Sequence, residues 1–343
     1  MKVIDYNNQV QKEAILNECK GNLFEFLVTQ SLARKSSCED LFLLNLPLDF
    51  KNQLSFYEDL IRTHAPDLLV QLPKLSQETV NKIWQDLRLF DYKFLEWKVI
   101  GKMVATNDNE YWNETDIVGT YQNENGSISH LAISLKLTKD HSFTNTKSAG
   151  VKSFLTKYFS NYGELAHNLQ VELNSIVDES FLMMGHNLYS LIDREFKGSF
   201  NSEWSDTQTE LPGELSPSMR VIVHQNYHRV ALKLASLLEQ LKELNNNLFF
   251  DSLAALCGFG HSEIIQVSCF HHEYELVDVT IKNFNDFFKA TVTDKECHLL
   301  PIKDLASSVE VVIGKMILQI RVKPMNKFTT AAYKINCSIK VKV

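Results

Sequence analysis

The 343-residue sequence predicts an α/β fold of the α+β kind, a mixed sheet flanked by helices with a β-rich lobe at the C-terminal end. Three observations predict it. Apolar residues recur at helical spacing through most of the chain before Tyr92; the texture then changes to strand-like runs from Tyr92 to Leu137; and after a helical middle, short β-rich runs dominate from Glu263 onward.

Taken in order, Asn8 to Ser36 places Ile15, Cys19, Leu23, Phe26 and Leu27 on one helical face, as one long helix or two meeting near Gly21. Shorter helices are expected around Gln53–Thr63 and Gln77–Leu87, separated by Pro66 and Pro73. Three strand runs follow, YKFLEWKVIGKMVAT, TDIVGTYQ and SHLAISLKL. The last two are joined by QNENGS, a hairpin signal. Helical segments are expected over Ala149–Tyr162 and Glu164–Phe196, then a polar linker over Gly198–Ser218 and a long helix over Met219–Asn245. The remaining runs, EIIQVSCF, VDVTIKNF, FKATVT, VEVVIG, ILQIRVKP and YKINCSIKVKV, read as strands. The expected division is therefore 1–200 as a core, 201–262 as a linker and helical bridge, and 263–343 as a β-rich lobe.

Composition narrows the classes. No run of 18 apolar residues could cross a bilayer, and the first twenty residues lack the apolar stretch of a secretory signal, so a soluble cytoplasmic protein is expected. Six cysteines lie far apart with no CxxC pair, which points to reduced thiols rather than disulfides or a zinc site. His224 and His228 stand four apart on one expected helix, but with no third ligand or HExxH the spacing reads as structural. No phosphate-binding loop, GxGxxG or GxSxG is present. Net charge is −7, unevenly spread: from Lys282 to the end, eleven Lys/Arg face five Asp/Glu, while residues 1–281 carry −13. A basic lobe on an acidic body is implied.

The strand ISHLAISLKLTKDH sets Ser134, Lys136 and Thr138 on one face and Ile133, Leu135 and Leu137 on the other. Whether Asp116 can meet that polar face depends on the hairpin. A two-residue Asn125-Gly126 turn would put Asp116 opposite Leu135. A three-residue loop Glu124-Asn125-Gly126, with Gly126 left-handed, pairs Asn123 with Ser127 and Asp116 with Ser134. The second register is expected, because it collects the charged residues on one face.

Thr115-Asp116 on one strand facing Ser134-Leu135-Lys136 on the next resembles the core of the PD-(D/E)xK nucleases. Here Thr115 stands at the proline position and Ser134 at that of the second acid. Three blocks, GNLFEF around Glu25, ETDIVGTYQNENGSISHLAISLKLTKDH, and VEVVIGKMILQIRVKPMNKFTTAAYKIN, together resemble the HaeIII family of type II restriction endonucleases. They cover about a quarter of the chain. The resemblance implies a restriction-endonuclease-like core, Mg2+ as cofactor, double-stranded DNA as substrate, a homodimer, and a cognate DNA methyltransferase in the cell. It also implies that Asp116 and Glu25 bind metal, that Lys136 positions or activates the attacking water, and that Ser134 supports them as a hydroxyl. A hydroxyl is a poor Mg2+ ligand, so the missing charge must come from elsewhere. Glu25, on the first long helix, is the first candidate; Glu164 and Asp140 are others.

The basic end offers Arg321 and Lys323 on one strand face, Asn326, Lys327 and Thr329 in the following loop, and Lys334 on the next strand. Arg, Asn and Lys are the side chains that read guanine and adenine edges, while Thr and Lys hold phosphates. The leading reading is a Mg2+-dependent, sequence-specific DNA endonuclease. Its alternatives are a structure-specific or repair nuclease on the same core, and a catalytically inactive DNA-binding or protein-interaction module. For Asp116, Ser134 and Lys136 taken alone, a surface hairpin with a cross-strand ion pair is the plain explanation.

Overall fold

The computed structural model describes residues 9–100, 115–139, 143–258, 264–283 and 297–341. It is an α+β protein with two five-stranded sheets, and it divides into two compact units that are each discontinuous in sequence. Unit 1 is Met1–Thr144 with His261–Phe288, and unit 2 is Asn145–Gly260 with Lys289–Val343. The sequence division at 200 and 262 follows chain order; in the structure the first two strands after 263, Ile264–His272 and Glu275–Asn283, join the sheet of unit 1 and the later strands join that of unit 2.

In unit 1, α1 (Gln9–Lys35) runs unbroken through Gly21, followed by α2 (Glu39–Leu44), α3 (Leu48–His64) and α4 (Leu68–Asp86). Pro73 lies inside α4 rather than before it. It sits in the second turn, where its missing N–H removes a single intrahelical bond. The side chain at Gly21 would meet nothing within 4 Å. Gly21→Ala is thus expected to stabilise the protein by about 0.5–1 kcal/mol, by limiting the unfolded chain, and to raise the thermal midpoint in a melt.

The sheet of unit 1 contains β1 (Lys93–Val99), β2 (Ile117–Gln122), β3 (Ile128–Lys139), β5 (Ile264–His272) and β6 (Glu275–Asn283), in the order β1-β2-β3-β5-β6. β4 (Thr144–Gly150) belongs to the other sheet. All pairings in the first sheet are antiparallel except β3 with β5, which is parallel. One face buries Trp97, Ile117, Ile133, Leu135, Val267, Cys269 and Val279 against Phe24, Val28 and Leu32 of α1 and Leu72, Val80 and Ile83 of α4. Burying seven such side chains is the main stabilising contribution, at about 1.5–3 kcal/mol each before the opposing chain entropy. Gly119 in β2 is required by close approach, since a Cβ there would stand 2.7 Å from the Trp97 ring.

Unit 2 is built on two long helices packed on each other, α6 (Glu164–Ser190) and α8 (Pro217–Leu244), with α5 (Phe154–Tyr158), α7 (Ser202–Ser205) and α9 (Asn246–Leu256). Its sheet takes β7 (Cys297–Leu299), β8 (Ser308–Ile313), β9 (Met316–Pro324) and β10 (Tyr333–Val341), in the order β4-β10-β9-β8-β7. One face, with Val309, Val311, Leu318, Ile320, Val322 and Ile335, is fully buried, and α8 packs on β8 and β9. The expected strand FKATVT lies outside the described residues. β4 replaces the start of the helix expected from Ala149, because TNTKSAG carries no apolar alternation to announce a strand. The six cysteines are free thiols. No described helix is long and apolar enough to cross a membrane.

Candidate active site

The β2–β3 hairpin has the second of the two registers. Ile117 pairs with Ile133 and Gln122 with Ile128. Asn123 N–H donates to Ser127 O at 2.9 Å, and Gly126 has φ of +80°, the left-handed conformation that a three-residue loop requires. Asp116 continues the ladder, its N–H donating to Ile133 O at 2.9 Å. Its side chain therefore stands on the face of Ser134 and Lys136, opposite the apolar core.

All three groups meet on one oxygen. Asp116 Oδ2 accepts from the backbone N–H of Leu135 at 2.6 Å, from Lys136 Nζ at 3.0 Å and from Ser134 Oγ at 3.3 Å. The Leu135 N–H is the fixed element, because strand geometry sets it independently of any rotamer. The serine bond is the longest. Ser134→Ala should therefore leave the carboxylate in place, held by the Leu135 N–H and Lys136, and shift stability by only about 0.5–1.5 kcal/mol in a thermal melt. The ion pair is partly shielded, with side-chain exposures of 28% for Lys136 and 17% for Asp116. It is neither a solvated surface pair nor a desolvated core pair.

The other sequence candidates fall in different places. Glu25 is half-buried on α1, a turn from the buried Val28 and Thr29, and its backbone carbonyl accepts from Thr29 Oγ1 at 2.7 Å. It thus sits at the edge of the buried stripe. Glu164 is exposed in the first turn of α6 in unit 2, where a carboxylate favours the helix dipole. Asp140 lies outside the described residues. Among the described residues, no group of three or more His, Cys, Asp or Glu is placed to hold a metal ion. Among the described residues, the donors to the Asp116 carboxylate all fall on Oδ2 and none on Oδ1. One carboxylate is a sparse donor set of the kind Mg2+ tolerates, since it keeps several waters and leans on substrate phosphate.

Sequence reasoning missed the neighbours supplied by the parallel pairing. Gln266 lies beside Ser134 and Ser268 beside Lys136 on β5; Lys282 and Thr280 follow on β6. Their polar alternation was visible in IIQVSC and VDVTIKN, but nothing local names the strand they pair with.

At the basic end, Arg321, Lys323 and Lys334 share the face of the β9–β10 ladder opposite the core. Lys323 and Lys334 are direct cross-strand partners, and Arg321 stands opposite Asn336. Burial pushes the Lys323 ammonium below the ordinary lysine range, and the charges of Lys334 and Arg321 push in the same direction. The loop after β9 is different. Lys327 forms an ion pair with Glu210, Thr329 Oγ1 donates to the same carboxylate at 3.1 Å, and Phe328 N–H donates to Glu210 O at 3.3 Å. Phe328 is buried edge-on against Phe200 and Trp204. Lys327 and Thr329 thus hold the loop to unit 2, while Asn326 is exposed.

No protein-family model matches the chain, and no curated protein does. Among solved structures it is similar to that of the restriction endonuclease MspI in complex with its cognate DNA, at 12% identity and a TM-score of 0.33 over 85% of this chain and 93% of that one.

Proposed function

We propose that the protein is a Mg2+-dependent, sequence-specific double-stranded DNA endonuclease of the PD-(D/E)xK kind, resembling the HaeIII family. The observation that carries this reading is the convergence of Lys136 Nζ and the Leu135 N–H on Asp116 Oδ2. A carboxylate used only for a surface ion pair has no need of a buried strand amide at 2.6 Å. Here the amide fixes the carboxylate and the lysine is fixed by the carboxylate, so two charged groups are held before any substrate arrives.

Hydrolysis of a phosphodiester needs an in-line water, neutralisation of charge on the phosphoryl oxygens, and a proton for the leaving oxygen. Asp116 would hold the cation, which when bound supplies that neutralisation; Glu25, the second ligand that the resemblance implies, stands on α1, which packs against the other face of the sheet. Lys136, ion-paired with Asp116, would orient the attacking water through its N–H donors rather than abstract a proton. Ser134 steadies Asp116. The ladder of Arg321, Lys323 and Lys334, with Asn326 at its end, contacts the duplex. A homodimer, a cytoplasmic location and a partner methyltransferase belong to the same reading.

Digestion of a sequenced plasmid with and without Mg2+, followed by run-off sequencing of the ends, tests it. Discrete fragments dependent on Mg2+ are expected. Mg2+-dependent cleavage without discrete fragments would favour a structure-specific or repair nuclease. Binding without cleavage would favour an inactive module, the reading to which serine at position 134 is most friendly.

A further inference from the structure

The β5–β6 turn of unit 1 is built against the usual chemistry of a two-residue hairpin. His272 pairs with Glu275, so Glu273 and Tyr274 form the loop, with φ of +49° and +67°. Glycine or asparagine normally takes such left-handed positions, because a Cβ is crowded there. What the turn gains is the placement of Tyr274. Its backbone N–H donates to His271 Nδ1 at 3.2 Å, its ring stacks on that of the buried His271 with centroids 4.7 Å apart, and its hydroxyl accepts from Lys20 Nζ of α1 at 2.8 Å. β3 ends beside this group, with Lys139 as the parallel neighbour of His271.

We propose that Lys20, Lys139 and the Tyr274 hydroxyl, seated on His271, form a second subsite on unit 1 that binds a phosphate oxyanion, supplied by the DNA backbone beyond the cleaved bond. Assignment of that phosphate to DNA rests on the nuclease reading; the oxyanion chemistry rests on the cluster itself. Hydrogen bonding decides the sign of the ligand. The Tyr274 hydroxyl accepts from Lys20, so its own proton is left to donate, and the two ammonium groups are donors without an acceptor. Such a set suits an oxyanion, which only accepts. Charge agrees with it. Burial lowers the His271 pKa, and Lys139, Lys20 and His272 each push it further in the same direction. Crowding like charges around a buried ring costs stability that a bound anion returns. The carboxylates of the turn, Glu273 and Glu275, are exposed. Lys139 stands three residues past Lys136, about 10 Å along the strand. Successive phosphates of one DNA strand advance about 3.4 Å along the helix axis, so a duplex held at Asp116 and Lys136 offers a backbone phosphate at this distance.

The test uses the full chain with Lys20→Met, Lys139→Gln and Tyr274→Phe, each first checked by circular dichroism and a thermal melt. A duplex is titrated in Ca2+ at several salt concentrations. Lys20→Met and Lys139→Gln are each expected to lower the slope of log affinity against log salt by about one unit, on cognate and random sequence alike. Tyr274→Phe keeps a ring on His271 and should weaken binding about three- to tenfold with the slope unchanged. A second arm follows the His271 ring by NMR as inorganic phosphate replaces chloride at constant ionic strength. Phosphate should raise the titration midpoint of His271 in the parent, and raise it less in Lys20→Met and Lys139→Gln. A structural role alone would move the melt and neither of these readouts. If phosphate moves His271 while the variants keep the parent slope on DNA, the cluster takes free phosphate and its assignment to DNA is overturned. If the parent cuts DNA and neither readout responds, the subsite is overturned and the nuclease reading stands. If the parent neither binds nor cuts a duplex, the nuclease reading fails and the phosphate arm alone decides the subsite. Should Lys20→Met not fold, Lys139→Gln and Tyr274→Phe decide the matter by the same criteria.

Discussion

Asp116→Asn and Lys136→Ala are each expected to lower Mg2+-dependent cleavage about 10²- to 10⁴-fold while duplex affinity in Ca2+ changes little. Asparagine keeps an oxygen for the Leu135 N–H, which donates at 2.6 Å. What it removes is the negative charge that holds Lys136 and would hold a cation. Alanine at 116 is the less clean choice, because it strands the Leu135 N–H at a cost of about 1–3 kcal/mol and confuses folding with chemistry. Loss of the ion pair itself costs a modest amount, about 1–2 kcal/mol: with exposures of 28% and 17% the two charges are only partly screened, and the pair lies between a solvated surface pair and a desolvated core pair. A large loss of rate with a small shift in melting temperature is thus the signature of a site held for catalysis. Single-turnover cleavage beside a binding titration measures both. Either variant cutting within tenfold of the parent would mean that the chemistry happens elsewhere.

The β2–β3 register was legible because two independent local signals agreed. Apolar alternation in Ile133, Leu135 and Leu137 fixed which face is buried, and Gly126 fixed the loop length. Together they placed Asp116 beside Ser134 on sequence grounds alone. The long α1 was legible for a similar reason, since Ile15, Cys19, Leu23, Phe26 and Leu27 repeat at helical spacing; of these Cys19 is fully buried and the others pack half-buried beside Phe24, Val28 and Leu32, which hold the centre of the stripe. The parallel β3–β5 pair was not. Alternation in IIQVSC announces a strand with one buried face, but its partner lies more than 120 residues earlier in the chain, and no local chemistry encodes that choice. Gln266 and Lys282 were invisible for the same reason.

The units failed to follow chain order because β5 and β6 fill the open edge of β3. Loop residues misled in another way. Lys327 and Thr329 have the composition of phosphate contacts, yet Glu210, more than a hundred residues earlier, takes both. Charge counted along a sequence says nothing of which charges are already paired.

Lys334→Gln is expected to have opposite effects on folding and on DNA binding. Lys334 faces Lys323 directly across the β9–β10 ladder, with Arg321 two residues along the same face. Like charges directly opposite destabilise a sheet by roughly 0.2–1 kcal/mol, so removing one should raise the melting temperature of the free protein. The same relief should follow from pH. Lys323 has a folded pKa below its ordinary value, through burial and then through Lys334 and Arg321. The folded state therefore carries the penalty while Lys323 is charged, and stability rises as pH climbs through its folded pKa toward the ordinary lysine range. In Lys334→Gln that rise should shrink. If the face exists to grip a phosphate backbone, binding must move the other way. Removing one lysine that neutralises a phosphate lowers the slope of log affinity against log salt by about one unit, on cognate and random duplexes alike, so the Lys323→Gln, Lys334→Gln double variant should lower it by about two. Arg321→Ala should instead cost about 1–3 kcal/mol on the cognate duplex and little on random sequence, if its guanidinium reads a guanine edge. Lys327→Ala, with its charge already met by Glu210, should leave the salt slope nearly unchanged. Titrations at several salt concentrations, run beside thermal melts of the free proteins, separate these outcomes. A double variant that melts higher than the parent and binds DNA with an unchanged slope would show that the repulsion between Lys323 and Lys334 serves no anion, and recognition would have to be sought on another surface.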